Sequence, residues 1–255
     1  MPEGDTVFRA ATQLRGALAG RVLTRSDFRV PRYATSDLSG QTVTDVVPRG
    51  KHLLIRTDAG LSVHTHLKME GRWRVWPATE PVRANYRIRL VLANSEWLAV
   101  GYDLGITEIL RTDREDQVTG HLGPDLLGPD WDPGEAARRL REDPDRAAGE
   151  ALLDQRNLAG IGNVYKSELL FLRGIRPWRP VGKIRDVDGL VDLAQRMLDA
   201  NKDRVERVTT GVPRRGQQVW VYGRQGQPCR RCGTRIRQAE LGDRVTYWCP
   251  SCQPD

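Results

Sequence analysis

The pattern of apolar and polar positions changes three times along the chain. In the first segment one face at helical spacing is apolar and Gly20 follows as a natural stop, which predicts an N-terminal helix; the apolar positions are Val7, Ala10, Ala11, Leu14, Ala17 and Leu18. From residue 21 to about 112 the pattern becomes short alternating or β-branched runs such as KHLLIRT, LSVHTHL and YRIRLVL, separated by turn residues. Several short strands at this spacing predict a β-sandwich or barrel.

Helical periodicity follows a segment rich in Gly, Pro and Asp, GHLGPDLLGPDWDPG. The stretches GEAARRLRED, AAGEALLDQ, NVYKSELLFLRG and VDGLVDLAQRMLDANKDRVERV all predict helices. The last 35 residues return to strand and turn character around four cysteines. We therefore expect an α+β chain, with a helix and β domain at 1–120, a linker at 121–133, a helical domain at 134–215 and a small metal module at 216–255.

The cysteines predict a metal site. All four lie in one C-x2-C-x16-C-x2-C pattern, and two CxxC turns can present four thiolates to one tetrahedral ion. A pair of disulfides would suit a secreted chain, but no export signal is present, and the duplicated CxxC favours zinc over a redox pair. Four sulfur ligands indicate one structural Zn²⁺, which would supply folding energy to a module too short to bury its own core. The predicted ligands are Cys229, Cys232, Cys249 and Cys252.

The charge points to a polyanionic partner. The formal net charge is +7, and residues 201–255 hold +6 of it. Such a basic segment is typical of nucleic-acid binding, although a well-solvated basic tail is an alternative. Arginines between the two cysteine pairs could enter a groove or clamp a phosphate, and a zinc ribbon used for protein contacts is the competing interpretation. No apolar run is long enough to cross a bilayer and MPEGDTVFRA is no signal peptide, so we expect a cytoplasmic protein that does not bind membranes.

A glycine turn at 160–162 precedes a second candidate binding element. Gly160 and Gly162 flank Ile161, and Asn163 is well placed to cap the helix that follows. Free backbone N–H groups at the start of a helix suit a DNA phosphate. An ordinary hairpin of two helices is the alternative interpretation.

Four separated motifs together resemble the Fpg/Nei family of DNA glycosylases over the whole chain. They are PEGD at 2–5, RGK at 49–51, LLDQRNLAGIGN at 152–163, and VYGRQGQPCRRCG with YWCPSCQ near the end. The resemblance implies an N-terminal helix with a β-sandwich, a helix–two-turn–helix domain and a C-terminal zinc β-hairpin. It also implies that DNA runs across the cleft between the two halves.

The resemblance implies a mechanism as well. With Met1 removed, Pro2 would have a free secondary amine that attacks C1′ of the sugar, expels the damaged base and leaves an iminium. Elimination of the 3′ and then the 5′ phosphate (β,δ-elimination) would cleave the strand. Glu3 would protonate the sugar ring oxygen and shuttle protons. Lys51 would contact phosphate or donate protons, and Arg244 would hold the phosphate at the lesion and assist the second elimination. Asn163 matches the family's phosphate-binding asparagine.

Three further positions would contact DNA. Met69 is the candidate to fill the gap left by the flipped base, with a core methionine as the alternative interpretation. Lys68 aligns with a DNA-contacting polar position in Nei-type enzymes, and His121 aligns with an arginine there. Residues 102–110 lack the Arg and Phe wedge usual in Fpg, and the loop between Val208 and Val219 is short. Both departures favour the endonuclease VIII-like (Nei) branch and oxidised pyrimidines as substrates.

The sequence is compatible with two alternatives. One is an abasic-site (AP) lyase with weak or no base excision, because the base-flipping residues are those that depart from the pattern. The other is a non-enzymatic zinc-ribbon DNA-binding protein, which would explain the charge and cysteines but not Pro2, Glu3 and Lys51 together. We expect a monomer that binds damaged DNA, either duplex or with single-stranded or bubble character, and that associates with the bacterial nucleoid.

Overall fold

The structure, a computed structural model, describes residues 2–255; Met1, whose removal the Pro2 mechanism requires, lies outside the described residues. The chain forms two compact units, one ending at His121 and one running from Leu122 to Asp255. The expected α+β composition, with a β-sandwich, a helical region and a terminal β-hairpin, is confirmed. The predicted bounds of the linker and of the metal module stay predictions.

The first unit begins with the predicted helix, α1, at Gly4–Leu18. Its apolar face is buried against the strands, and Gly20 follows with a φ of +75°, a left-handed conformation that glycine adopts without strain. The sheet strands and the short helix that closes the unit are β1 (Arg25–Phe28), β2 (Val43–Arg49), β3 (His52–Thr57), β4 (Leu61–His66), β5 (Arg72–Pro77), β6 (Ile88–Ala93), β7 (Trp97–Tyr102), β8 (Ile106–Arg111) and α2 (Asp116–Thr119).

The eight strands form two antiparallel four-stranded sheets. Their orders are β1-β6-β7-β5 and β2-β3-β4-β8. Alternate residues of β3 and β4, including Leu53, Ile55 and Val63, join α1 and the first sheet in one apolar core. The other face of β3 and β4 therefore carries the intervening residues, among them histidines, because successive side chains of a strand point to opposite faces.

The second unit contains the helices α3 (Pro133–Arg141), α4 (Ala148–Leu153), α5 (Asn163–Leu172) and α6 (Val187–Asp199). The helix predicted to run from residue 187 to 208 instead ends at Asp199, so that prediction was too long. Asn201 explains the stop. Its amide donates to the carbonyl oxygens of Met197 (2.8 Å) and Val208 (3.1 Å) and accepts from the Val208 N–H (2.7 Å), which folds the chain back.

The terminal hairpin consists of β9 (Arg237–Leu241) and β10 (Arg244–Trp248). It packs on α5 through polar bonds as well as apolar contacts: the fully buried Lys166 Nζ donates to the buried Thr246 Oγ1 at 2.6 Å. Among residues 2–255 we find no helix with the length and apolar character needed to span a membrane.

Candidate active site and DNA-binding residues

Pro2 and Glu3 lie directly before α1. Glu3 is the residue preceding the helix, its backbone carbonyl accepts from the N–H groups of Thr6 (3.0 Å) and Val7 (3.1 Å), and it is fully buried. Glu3 is thus held by the first turn of α1, immediately beside the half-buried Pro2.

Lys51 lies in the two-residue turn that joins β2 to β3. The last residue of β2, Arg49, pairs with His52, so only Gly50 and Lys51 make the turn, and Gly50 has a φ of +56°. Two-residue hairpins need positive φ in the loop, which explains the glycine of the RGK motif. The hairpin fixes Lys51 at its tip, where its side chain is half-buried.

Lys68 and Met69 occupy the turn between β4 and β5. Lys68 has a φ of +51°, unusual for a residue with a side chain, and Met69 is 53% exposed. The alternative of a core methionine is wrong, because half of this side chain is in solvent. Gly105 in the turn before β8 makes room for Lys68, since an added Cβ there would lie 2.2 Å from Lys68 Cγ. An exposed apolar side chain at a turn tip suits insertion between bases.

His121 is exposed, but its ring lies 6.0 Å from that of His52. His52 in turn contacts His64 and His66, so the four histidines of the chain form one group. Burial, followed by the charge of His66, lowers the pKa of His52 to about 3. Burial, followed by the charge of Lys68, lowers the pKa of His66 to about 4. This group was not predicted from the sequence, although the alternation in LSVHTHL places His64 and His66 on one face.

Asn163 does not cap α5, contrary to the expectation. Gly162 is the capping residue and Asn163 is the first residue of the helix; its Nδ2 donates to the Val245 carbonyl oxygen at 2.8 Å. The Oδ1 atom of Asn163 is buried without a hydrogen-bond partner. Arg244, the first residue of β10, is exposed and lies 3.4 Å from its neighbour Asp243. Asn163 therefore bonds the residue that follows Arg244, which brings these two predicted residues together.

The four cysteines converge as predicted. Their Sγ atoms all lie within 4.8 Å of one another, and the pairs Cys229–Cys252 and Cys232–Cys249 are 3.9 and 3.5 Å apart. A disulfide requires about 2.05 Å, so the disulfide alternative is wrong, whereas four thiolates at these separations fit one tetrahedral zinc ion. The cysteines hold one structural zinc, which joins the two CxxC turns at the base of the hairpin.

Glu168 was also missed by the sequence analysis. This fully buried carboxylate accepts from the backbone N–H groups of Trp220 (2.7 Å), Val221 (2.8 Å) and Tyr222 (2.9 Å), and from the hydroxyl of Thr209. It ties α5 to the segment that leads into the cysteine module. No periodicity reveals this bond, because Glu168 looks like an ordinary polar residue of a helix.

Three family models match the chain in sequence. Residues 1–101 match the formamidopyrimidine-DNA glycosylase N-terminal domain, residues 122–205 match the formamidopyrimidine-DNA glycosylase H2TH domain, and residues 226–254 match a zinc finger found in FPG and IleRS. Their order along the chain is that of the two sheets, the helices and the cysteine module.

Among curated relatives, the "Probable endonuclease 8 2" of Streptomyces coelicolor is 59% identical, over 99% of this chain and 94% of the relative. The "DNA-(apurinic or apyrimidinic site) lyase Nei2" of Mycolicibacterium smegmatis is 54% identical over 99% of both chains. A "Formamidopyrimidine-DNA glycosylase" of Xanthomonas campestris is 34% identical over 99% of this chain and 98% of its own length.

A solved structure of Lactococcus lactis Fpg in complex with abasic-site DNA has the same fold. Its TM-score is 0.84 at 24% identity, with 99% of this chain and 100% of that chain covered.

Proposed function

Because the chain belongs to the Fpg/Nei family of DNA glycosylases, in its endonuclease VIII-like (Nei) branch, we propose that it removes oxidised pyrimidines through a Schiff base at Pro2 and cleaves the strand by β,δ-elimination. Membership makes it a DNA glycosylase and DNA-(apurinic or apyrimidinic site) lyase of DNA repair, with damaged DNA as its partner. The specific substrate and the residues that act on it are the proposed part.

The observation that carries the Pro2 mechanism is the burial of Glu3 beside Pro2 at the start of α1. A secondary amine at a chain terminus has a pKa well below that of a lysine, so a fraction is neutral and nucleophilic near pH 7. The adjacent carboxyl can give a proton to the sugar ring oxygen as C1′ is attacked. Lys51, fixed at the tip of a two-residue turn, supplies a cation for the phosphate.

The hairpin and the helical region supply the remaining phosphate contacts. Arg244 begins β10, and the exposed guanidinium it carries can bind the phosphate at the lesion and assist the second elimination. Asn163 has one amide hydrogen on the Val245 carbonyl, and its second hydrogen is available to a phosphate oxygen. Lys68 and His121 are proposed as further DNA contacts.

The proposed preference for oxidised pyrimidines rests on which side chain can fill the gap left by the flipped base. Residues 102–110, YDLGITEIL, contain no Arg or Phe, so the exposed Met69 is the apolar side chain offered for the gap in the stack. Excision should therefore be faster from duplexes containing thymine glycol or dihydrouracil than from 8-oxoguanine duplexes. Strong selectivity for 8-oxoguanine would overturn the proposal. Met69→Ala should slow excision of an intact lesion more than cleavage at a preformed abasic site. Met69→Leu, which keeps an apolar side chain of similar size, should excise the lesion at close to the parent rate.

Borohydride trapping on abasic DNA tests the nucleophile. The protein should become covalently linked to DNA, and Pro2→Gly should trap far more weakly, whereas Pro81→Gly, at an exposed position of the same unit, should trap normally. Mass spectrometry of the preparation must first establish that Met1 is absent, since an acylated Pro2 cannot form an iminium. Undiminished trapping by Pro2→Gly would assign the nucleophile to another amine. A protein that binds DNA but never traps would be the zinc-ribbon binder.

A second candidate function has one specific observation in its favour. The Mycolicibacterium smegmatis relative carries the name of an abasic-site lyase, which favours an AP lyase with little base excision as the second candidate. Comparing rates on an intact lesion and on a preformed abasic site separates the two functions. We propose in addition that the protein acts as a monomer in the bacterial cytoplasm, in association with the nucleoid.

A further inference from the structure

The four histidines of the chain lie on the face of the β2-β3-β4-β8 sheet that points away from the apolar core. His52 of β3 is directly opposite His66 of β4, and His64 of β4 is directly opposite Glu108 of β8. His121 reaches the same face from the segment after α2. His64 is almost fully buried, at 1% exposure. All four imidazoles of the 255-residue chain thus belong to one group.

A continuous line of hydrogen bonds runs through three of these side chains. His64 Nδ1 lies 2.7 Å from Glu108 Oε1, and His64 Nε2 lies 2.8 Å from His52 Nδ1. The His52 and His64 ring planes are within 18° of each other with centroids 5.0 Å apart, as expected for a bond near the plane of both rings. The line therefore runs from a carboxylate through a buried imidazole to a half-buried imidazole.

The direction of each bond follows from the carboxylate. An ionised Glu108 only accepts, so His64 Nδ1 must carry the hydrogen, and neutral His64 then has its lone pair on Nε2. His52 Nδ1 donates to that lone pair, which leaves the lone pair of His52 on Nε2. His66 carries its ring hydrogen on the other nitrogen. Its Nδ1 accepts from the Lys68 backbone N–H at 2.9 Å, so the hydrogen of neutral His66 is on Nε2. The line thus ends in one defined acceptor, His52 Nε2.

Burial and the neighbouring side chains both disfavour a positive charge on His52. The charged and titratable groups that face it are His64 and His66 from β4, Lys68 from the turn after β4, and His121 from the segment after α2. Lys51, from the adjacent hairpin tip, acts on His66. A lasting positive charge on His52 is therefore disfavoured. A metal is a poor occupant, because His66 presents an N–H, and within residues 2–255 only the cysteines gather three or more ligand atoms that closely.

We propose that Glu108, His64 and His52 form a proton relay that serves strand cleavage at the Lys51 hairpin. The inference rests on the proposed Pro2 mechanism. In the elimination, the C2′–H bond breaks, its electron pair forms the new double bond, and the 3′ phosphate leaves with the C3′–O pair. The released proton goes to His52 Nε2, directly or through one water molecule. The Nδ1 hydrogen of His52 passes to His64 Nε2, and the Nδ1 hydrogen of His64 passes to Glu108.

The relay removes a proton without leaving a cation among the lysines. After the transfer both imidazoles are neutral again, and the proton is on Glu108, whose side chain is 31% exposed and can release it to solvent. A lone histidine at position 52 could not do this, because it would have to hold the charge in a half-buried position that Lys68 faces. Glu108 and His64 are thus positioning residues that act through His52.

Glu108→Gln tests the relay. The amide oxygen still accepts from His64 Nδ1, but the side chain cannot take up a proton. Single-turnover cleavage of abasic DNA at pH 7 should slow by about tenfold or more, since positioned acid–base groups contribute about 10²- to 10⁴-fold. Borohydride trapping should stay equal or rise, because the iminium forms normally and decays more slowly. Glu115→Gln is the matched control: Glu115 accepts from Arg56 and Ser62 beside the same sheet, outside the relay, and cleavage should be unchanged.

A second variant and a pH profile separate a relay from a merely structural role. His64→Gln should slow cleavage as Glu108→Gln does, and both should flatten the pH dependence of cleavage relative to the parent protein. Cleavage at the parent rate with intact trapping would overturn the relay and leave the Pro2 proposal standing. Trapping that falls in parallel with cleavage would also overturn it, because the side chains would then only support the fold. Absence of trapping in the parent protein would instead refute the Pro2 mechanism itself.

Discussion

The β-sandwich and the zinc hairpin are stabilised in different ways. In the sandwich, α1 and both sheets contribute to one apolar core of about twenty buried side chains, so no single group is indispensable. Around the hairpin the buried apolar cluster is small, with Phe171, Val221 and Ile236 beside two of the cysteines. The metal therefore takes the place of a larger core in the hairpin. The bond from Lys166 to Thr246 adds to the apolar contacts that attach the hairpin to α5, and Glu168 attaches the segment at 220–222 to the same helix.

Removing zinc should have the largest effect and should affect the hairpin alone. Structural zinc sites contribute an apparent 10–16 kcal/mol, about the whole stability of a small domain. In Cys249→Ser, or after chelation, amide hydrogen exchange should become fast in β9 and β10, while β3 and β4 keep their protection. DNA binding should be lost with the hairpin, because Arg244 is no longer held. Equal loss of protection in the sandwich and in the hairpin would show that zinc does not stabilise the hairpin alone.

Truncating the sandwich core should have the next largest effect. Leu14 of α1 is fully buried, and Leu14→Ala should lower the free energy of unfolding by about 2–5 kcal/mol, through lost transfer energy and the cavity left behind. Urea denaturation measures this change. Val22→Ala, at a position that is 51% exposed, should change it by less than about 0.5 kcal/mol. Zinc content should be normal in both variants, and zinc loss in Leu14→Ala would show that the two regions are coupled.

The sequence was sufficient where one local rule decides the structure. The periodicity of α1, its stop at Gly20 and the spacing of the cysteines were each predicted and each found. Helical spacing, positive φ and tetrahedral coordination leave few alternatives within a short segment. The assignment to the Fpg/Nei family followed from four such segments in order, and the Nei branch followed from the absence of Arg and Phe at 102–110 and from the short loop between Val208 and Val219.

The sequence was insufficient where distant residues meet. The end of α6 depends on a bond from Asn201 to Val208, and Asn163 turned to the hairpin instead of capping its helix. Glu168 bonds backbone groups more than fifty positions away, and the histidine relay requires the register of three strands. Periodicity places a side chain on a face, but the partner on that face is fixed only by tertiary structure.

Removing the Glu168 charge should have an intermediate, local effect. In Glu168→Gln one acceptor oxygen becomes an amide NH₂ group, which cannot accept a hydrogen bond from the backbone N–H groups around it. A buried N–H left without an acceptor costs about 1–3 kcal/mol of folding free energy. Amide exchange of Trp220 to Tyr222 should accelerate, and the sandwich should be unaffected. Glu240→Gln, on the exposed side of β9, is the control that should change neither. Unaltered exchange at Trp220 to Tyr222 would show that the carboxylate does not hold this segment.

The smallest expected effect is a dependence of sandwich stability on pH in mildly acidic solution. In the unfolded chain His52 and His66 titrate near 6.5, whereas in the folded protein burial and neighbouring cations lower their pKa to about 3 and about 4. Between these values the unfolded state binds more protons, so stability is complete above about pH 6.5 and falls as the pH is lowered towards 4. From pH 7.5 to 6 the loss should be less than about 1 kcal/mol for each histidine.

Urea denaturation of the zinc-loaded protein at a series of pH values measures this slope. Replacing both histidines, as His52→Gln with His66→Gln, should make the slope shallower over the same interval, because the unfolded state then loses its two extra protons. The region that follows Leu122 contains no histidine, so any pH dependence from imidazoles belongs to the sandwich. A parent protein whose stability is constant from pH 7.5 to 5 would mean that His52 and His66 are not held neutral by the fold, and the contrast between a pH-sensitive sandwich and a zinc-dependent hairpin would lose its basis.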